Sequence, residues 1–382
     1  MSGTSVNGTC TLMVPEEGKW NVKATLDGRT SGTKSVSFID SYEMELTFFS
    51  ATITITVDSG ASVVLKKGDT TGQTKTSTGT VVFTVYETGS YTIEATKDGQ
   101  TTSGSVNVVS GTTSYTLMLS FVSSILNDNE WSDIKSISDI GQGANYWSIG
   151  DRKAVTLDGT FGYLTLSNYT TYAFIIGFNH NASLEGENRI HFQLAKTALS
   201  DGTDVCFCDS QYGASSSAGY FIMTNSKTNS GGWASSQMRK YICGTSLSED
   251  YPRTFIAVIP AELRAVLKSV TKYTDNTGGG SSAASNVTAT TDYFFLLSEF
   301  EVFGSISHSN ENEKNKQAQY AYYSAGNSTI KYKHNGTSTA ANWWLRSPMV
   351  GNDWCFMIAS SRGVASTLIM RNSQGFAPGF CV

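Results

Sequence analysis

Apolar and polar residues alternate in short runs through the first third of the chain. Thr52-Ile-Thr-Ile-Thr-Val, Tyr91-Thr-Ile-Glu-Ala-Thr and Tyr115-Thr-Leu-Met-Leu each turn one side of an extended backbone toward a core and the other toward water. That is the period-two pattern of half-buried strands. Two stretches match at a fixed offset of 71 residues: GTCTLMVPEEGKWNVKATLDG from Gly8 and GTVVFTVYETGSYTIEATKDG from Gly79. Each sets an Asp-Gly pair, Asp27-Gly28 and Asp98-Gly99, between alternating runs, which signals a β-hairpin. The second copy is complete, so residues 50–121 are expected to form a small β-sandwich. The first lacks its opening strands, so residues 1–49 read as the tail of a truncated module, with more copies expected ahead of it.

The pattern changes after residue 121. Residues 122–130, VSSILNDNE, read as a polar connection. Trp131, Ile134, Ile137 and Ile140 then recur every third position, which predicts an amphipathic helix. Residues 154–178 alternate as strands. GWASSQMRKYIC, closed by Gly244, predicts one short helix, and Pro260 opens another with Leu263, Val266, Leu267 and Val270 on one face. Ser298-Glu-Phe-Glu has capping-box spacing and Gly304 ends that turn. The Gly/Ser run at 277–286 reads as a flexible loop, and Asn310-Glu-Asn-Glu-Lys-Asn-Lys-Gln as a solvated excursion.

Composition narrows the function classes. Charged residues are 15% of the chain, against the usual quarter or so. The 36 glycines and abundant Ser, Thr and Asn suit turn-rich β structure, while 19 Phe, 18 Tyr and 7 Trp are ample for real cores. The net charge of −5 and the absence of a basic tract argue against a nucleic-acid partner. No apolar run is long enough for a membrane span, and no charged segment followed by an apolar one marks a secretion signal. Six scattered cysteines do not make a disulfide scaffold and read as buried thiols.

Chemistry-bearing patterns are sparse. His180, His191, His308 and His334 form none of the zinc spacings, and His180 reads as a satisfied loop residue. Cys206-Phe-Cys208 places two thiols on one strand face without a second pair. The capping box accounts for Glu301 beside Glu299 without catalysis. No nucleophile elbow, phosphate-binding loop or dinucleotide fingerprint occurs. The expectation is therefore a chain with no enzyme activity, no catalytic residue, no metal and no cofactor.

The last forty residues are the most distinctive. They open on Asn342-Trp-Trp-Leu-Arg-Ser-Pro348 and close on Gly375-Phe-Ala-Pro-Gly-Phe-Cys-Val382. With GGWASSQMRKYI at 231–242 and FFLLSEFEVFG at 294–304, this frame resembles the C-type-lectin-fold domain of diversity-generating retroelement variable proteins, in the branch related to formylglycine-generating enzyme. The first-third repeats resemble Ig-like or carboxypeptidase-regulatory-like modules, which serve as spacers. The resemblance implies a mainly β chain: Ig-like β-sandwich modules followed by an α+β C-type-lectin-fold domain over 131–382, with a variable region at about 342–382. Cys355 and Cys381 match no catalytic pair, so the oxidase activity of that branch is not expected.

The resemblance further implies ligand binding through residues between the two frame segments: Met349, Val350, Asp353, Trp354, Met357, Ser361, Arg362, Val364, Leu368, Met370 and Arg371. They follow neither a helical nor a strand period, and aromatic, Met and Arg side chains supply adaptable affinity. They should form one contiguous exposed patch, while Trp343, Trp344, Leu345, Phe376 and Phe380 are buried anchors and Arg346 pairs with a buried carboxylate or carbonyl. The implied setting is a phage virion or bacterial cell surface, and the implied partner a protein or glycan on a target cell. The alternative is a non-diversified structural or carbohydrate-adhesive module.

Overall fold

The structure, a computed structural model, describes residues 2–4, 9–14, 17–26, 29–38, 43–97, 99–247 and 253–382. The chain divides into two compact units, Met1–Phe121 and Val122–Val382, and β structure predominates in both.

In the first unit the alternating runs become strands whose apolar sides share one core. One sheet has the order Gln100–Val108, Gly89–Lys97, Ser62–Lys67, Thr70–Thr76; the other has Ser114–Met118, Ala51–Thr56, Thr80–Val85. Ile53 and Phe83 from one sheet and Val63 and Ile93 from the other are fully buried in the same cluster, so the two sheets are faces of one sandwich. Lys97 opposite Gln100 leaves a two-residue hairpin turn, and Gly99 has the positive φ such turns need; Asp98 lies outside the described residues. The earlier copy also makes hairpins. Gly18–Val22 pairs with Lys34–Phe38, and Thr25–Leu26 with Arg29–Thr30 around Asp27-Gly28, itself outside the described residues. Among the described hydrophobic residues ahead of Ala51, only Val36 is buried, so these hairpins have strand pairing without a core of their own.

In the second unit an antiparallel five-stranded sheet runs Arg152–Phe161, Leu164–Phe178, Ile190–Lys196, Gly379–Cys381, Phe294–Phe295. The last residues of the chain thus enter the middle of the sheet, and Ile190 and Val382 exchange both backbone hydrogen bonds, at 3.0 and 3.1 Å. The helix Trp131–Asp139 buries Trp131, Ile134 and Ile137 as its spacing predicts, with the indole of Trp131 edge-on to Phe192 and Phe380. Ile140 is the residue after the helix and is exposed. Pro260 opens a shorter helix than expected, Ala261–Arg264: Leu263, Val266, Leu267 and Val270 are all buried, but only Leu263 is on the helix, and Val270 begins the strand Val270–Asp275. The single helix expected over 232–243 is two turns, Gly232–Ser235 and Met238–Cys243, because Ser236 takes an extended backbone.

Three segments read as loose are tied down. In 122–130, Leu126 and Asn129 are buried. Asn129 accepts from Ser123 N at 2.6 Å and donates to the carbonyls of Ser123, Ile125 and Leu126, so this stretch is packed structure and not a connection. The Gly/Ser loop joins the hairpin strands Val270–Asp275 and Val287–Asp292, and buried Asp275 accepts from Thr277 N, Gly278 N, Asn286 and Asn310. In the excursion at 310–317, Asn310 and Glu313 are fully buried; Glu313 accepts from Asp275 N at 2.9 Å and Ser347 Oγ at 2.6 Å. Polar residues that satisfy one another inside a protein have the same composition as a solvated loop. No helix among the described residues is long and apolar enough to cross a membrane.

Candidate functional site

The opening frame segment and the residues between the two segments form a three-stranded antiparallel sheet of Trp343–Pro348, Cys355–Ala359 and Ala365–Ile369. Trp343, Trp344, Leu345 and Arg346 are fully buried. Each indole N–H finds a carbonyl, Thr329 for Trp343 at 3.0 Å and Phe221 for Trp344 at 2.8 Å, as buried Trp requires. At the other end of the frame, Phe376 and Phe380 are buried, and Phe207 and Phe376 exchange backbone hydrogen bonds.

Arg346 holds the frame to the helix Glu299–Phe303. Its guanidinium forks onto both oxygens of Glu301, with Nη2 at 2.8 Å from Oε1, and Nε donates to Thr274 Oγ1 at 2.7 Å. Glu301 also closes the capping box, accepting from Ser298 N at 3.0 Å while Ser298 Oγ accepts from Glu301 N at 3.0 Å. Burial alone would raise the Glu301 pKa, but Arg346 and Lys272 outweigh it and hold the carboxyl well below its usual range. Lys272, also fully buried, donates to Glu185 at 2.6 Å, Glu301 at 3.0 Å and the Tyr320 hydroxyl at 2.7 Å.

His180, Glu185 and Glu301 stand close enough to share a cation. The Lys272 ammonium already bridges the two carboxylates, so that position holds a positive charge supplied by the chain. His180 is buried and stacked on Tyr320 with ring centroids 3.7 Å apart; it hydrogen-bonds the Ala318 backbone, while its Nε2 has no hydrogen-bond partner among the described residues, so it is satisfied only in part. Burial, then the nearby Lys272 charge, push its pKa down to about 3, which keeps it neutral. Among the cysteines, Cys206 and Cys208 are buried with sulfurs 3.9 Å apart, and Cys381 lies 3.3 Å from His191 Nδ1. Burial pushes the Cys381 thiol up to about 12.

The expected ligand-binding residues divide by burial. Trp354 is 59% exposed, Val364 is 56% exposed, and Arg362 is exposed. Met349, Val350, Asp353, Ser361, Leu368 and Arg371 are half-buried. Met357 and Met370 are in the core. Met357 lies on the central strand of the sheet, in the consecutive buried run Phe356-Met-Ile-Ala359. Such a continuous apolar run marks a strand covered on both faces, and that signal was present in the sequence. Met370 packs beneath the loop at 223–224, whose Met223 N donates to its carbonyl at 2.9 Å.

The exposed members do not form the single patch expected. Arg362 and Val364 sit on the turn joining the central strand Cys355–Ala359 to the outer strand Ala365–Ile369. Trp354 sits at the opposite end, where Met370 N donates to its carbonyl, beside Ile369, which is 47% exposed and carried no sequence signal. A five-residue strand, about 14 Å from first to last residue, separates the two ends.

Around Trp354 lies a shallow depression of about 430 Å³, lined by Gly279, Gly280, Gly351, Asn352, Asp353 and Trp354. Its walls come from two loops joined by backbone: Gly351 N donates to Gly280 O at 2.9 Å. Buried Asn229 is the strut beneath them. Its Oδ1 accepts from Gly279 N at 2.7 Å, its Nδ2 donates to the carbonyls of Asn352 at 3.2 Å and Cys355 at 2.9 Å, and its backbone N donates to Asp353 O. Neither Asn229 nor the glycines were picked out from sequence. The Gly-Gly-Gly run was the available signal for the glycines, whereas the partners of Asn229 are mainly backbone groups far along the chain.

Residues 212–382 match the family model of DUF6273, a domain of unknown function. The match includes the frame, the depression and Asn229. It begins inside the second unit, and the strands Arg152–Phe161, Leu164–Phe178 and Ile190–Lys196, which complete the five-stranded sheet around Gly379–Cys381, precede it. No curated protein matches the chain.

Proposed function

We propose that the chain is a recognition protein of a phage virion or bacterial cell surface, with a C-type-lectin-like domain as scaffold and Ig-like modules as spacer. The observation that carries this reading is the contrast inside one three-stranded sheet. Trp343, Trp344 and Arg346 are wholly buried and hydrogen-bonded, while Trp354, Arg362 and Val364 stand in solvent on the loops the same strands support. A fold that varies its contacts must keep them out of the packed core, where even one methylene is felt. Recognition of this kind makes and breaks no bond; its affinity comes from side chains held ready by a rigid base. Among the described residues the two-sheet sandwich at 51–119 buries no charged side chain, its ion pairs such as Lys66–Glu94 lying at the surface, and it suits a spacer.

The proposed binding residues are Met349, Val350, Asp353, Trp354, Ser361, Arg362, Val364, Leu368 and Arg371. The burial of Met357 and Met370 favours, as a second reading, an adhesive module whose surface is fixed and not diversified. A near-identical template repeat beside the gene, differing at adenines, separates the two. The binding reading itself is tested by flow cytometry of labelled full chain on a panel of bacterial cells. A strain bound by the wild type and not by Trp354→Ala/Arg362→Ala supports it; equal binding by both proteins overturns it.

A further inference from the structure

Resting on that recognition reading, we propose that the depression beside Trp354 binds a neutral hexopyranose unit of a surface glycan. Four observations define the ligand chemistry.

The first is a flat apolar face held in water. Trp354 is 59% exposed, and its backbone is pinned on both sides: its N donates to Asn352 Oδ1 at 2.8 Å and its carbonyl accepts from Met370 N at 3.0 Å. The pinned backbone keeps the indole at the rim of the depression, where its face is available for stacking. The second is a bare floor. Gly279 and Gly351 have φ of +66° and +76°, and a Cβ at either would meet nothing within 4 Å. Positive φ favours glycine, so the floor is backbone with open space above it. The third is an uncommitted carboxylate. Among the described residues, the Asp353 side chain has no hydrogen-bond or ion-pair partner, and Asn352 beside it has committed only its Oδ1. The fourth is charge: one acid and no base line the depression.

A pyranose ring has one face of C–H bonds and a rim of hydroxyls. The C–H face matches the indole, adjacent hydroxyls match the two oxygens of Asp353, and the Asn352 amide supplies a donor. The lone carboxylate disfavours phosphorylated, sulfated or sialylated ligands, which would meet like charge without a compensating cation. The volume, about 430 Å³, is within the range of small-molecule sites. Asn229 is the positioning residue, since it holds both loops at the spacing that leaves the depression open.

The test uses the full chain and two probes. One is a set of neutral oligosaccharides built from glucose, galactose, mannose or N-acetylglucosamine, followed by saturation-transfer NMR and indole fluorescence. The other is bacterial cells bound by the wild type, before and after periodate oxidation of their glycans. The proposal expects one neutral sugar series to bind, with Trp354→Ala and Asp353→Asn each weakening it at least tenfold at unchanged melting temperature, while Tyr241→Ala, an exposed aromatic outside the depression, binds as the wild type does. It also expects periodate to abolish cell binding. If cell binding depends on Trp354 and Arg362 but survives periodate, and no sugar binds, the surface recognises protein and the glycan assignment is overturned while the recognition reading stands. If sugars bind equally to wild type and Trp354→Ala, the site lies elsewhere and the assignment is also overturned. If cell binding depends on neither residue and no sugar binds, both readings fall.

Discussion

The two outer strands of the C-terminal sheet show how this molecule separates stability from display. Trp343–Pro348 is buried at every position, and its polar side chains are spent on internal partners: Arg346 on Glu301 and Ser347 on Glu313. Ala365–Ile369, two strands away, is covered on one edge only and is half-buried, ending in exposed Ile369. The first strand therefore has no tolerance for change, and the third and its flanking loops have a good deal. The difference lies less in residue type, since both regions carry Trp, Arg and Leu, than in whether each polar atom has been given a partner inside the protein.

The largest effects should come from the frame. Arg346→Ala leaves Glu301 and its neighbours with an uncompensated buried charge and should cost about 3–5 kcal/mol, measured by denaturant unfolding. Trp344→Ala should cost a similar ~3–5 kcal/mol through the cavity it leaves. Met357→Ala sharpens the comparison because the residue was expected at the surface: as a core residue of the central strand it should lose about 2–5 kcal/mol, and a loss below about 0.5 kcal/mol would return it to the display set.

A pH effect of intermediate size is expected from Glu313. Burial, only partly offset by hydrogen bonds from Asp275 N and Ser347, pushes its pKa up to about 7. The folded state therefore holds this proton more tightly than the unfolded chain. The stabilisation is complete below the ordinary carboxylate pKa and is lost as pH rises toward and through about 7, a change on the order of 3 kcal/mol. Glu313→Gln mimics the protonated form, so thermal melts from pH 5 to 8 should show a steeper decline in the wild type than in this variant, in which buried Glu185, also pushed up to about 7, still titrates. Parallel curves would contradict the assignment.

Asn229→Ala should cost about 1–3 kcal/mol, because it leaves Gly279 N and the carbonyls of Asn352 and Cys355 without their shared partner. Hydrogen exchange should speed up at 279–280 and 349–355 and remain slow in Trp343–Pro348. Uniform acceleration would mean that Asn229 supports the whole domain and not the two loops.

How much of this was legible depended on the range of the interaction. The capping box at Ser298 and Glu301 is a three-residue pattern, and it stands as read. The burial of Trp343, Trp344, Phe376 and Phe380 followed from size and hydrophobicity. Arg346 was expected to find a buried carboxylate or carbonyl, but that it would be the capping Glu301, 45 positions away, was not legible. The misreadings at 122–130, 277–286 and 310–317 have one cause. Asn129, Asp275 and Glu313 each satisfy several backbone groups from distant or neighbouring segments, and nothing local distinguishes such a residue from one facing water. Met357 differs for another reason: it lies between the frame segments, but the apolar run Phe356-Met-Ile-Ala359 that contains it is buried on both faces.

The central claim is that stability and recognition reside in different residues of one small sheet. It is tested most directly by measuring melting temperature and target-cell binding on the same preparations of wild type, Trp344→Ala and Trp354→Ala. The account predicts that Trp344→Ala melts far earlier, while Trp354→Ala changes stability by no more than about 0.5 kcal/mol and loses binding. A Trp354→Ala protein that melts early, or one that melts like the wild type and still binds the cells as well, would contradict it.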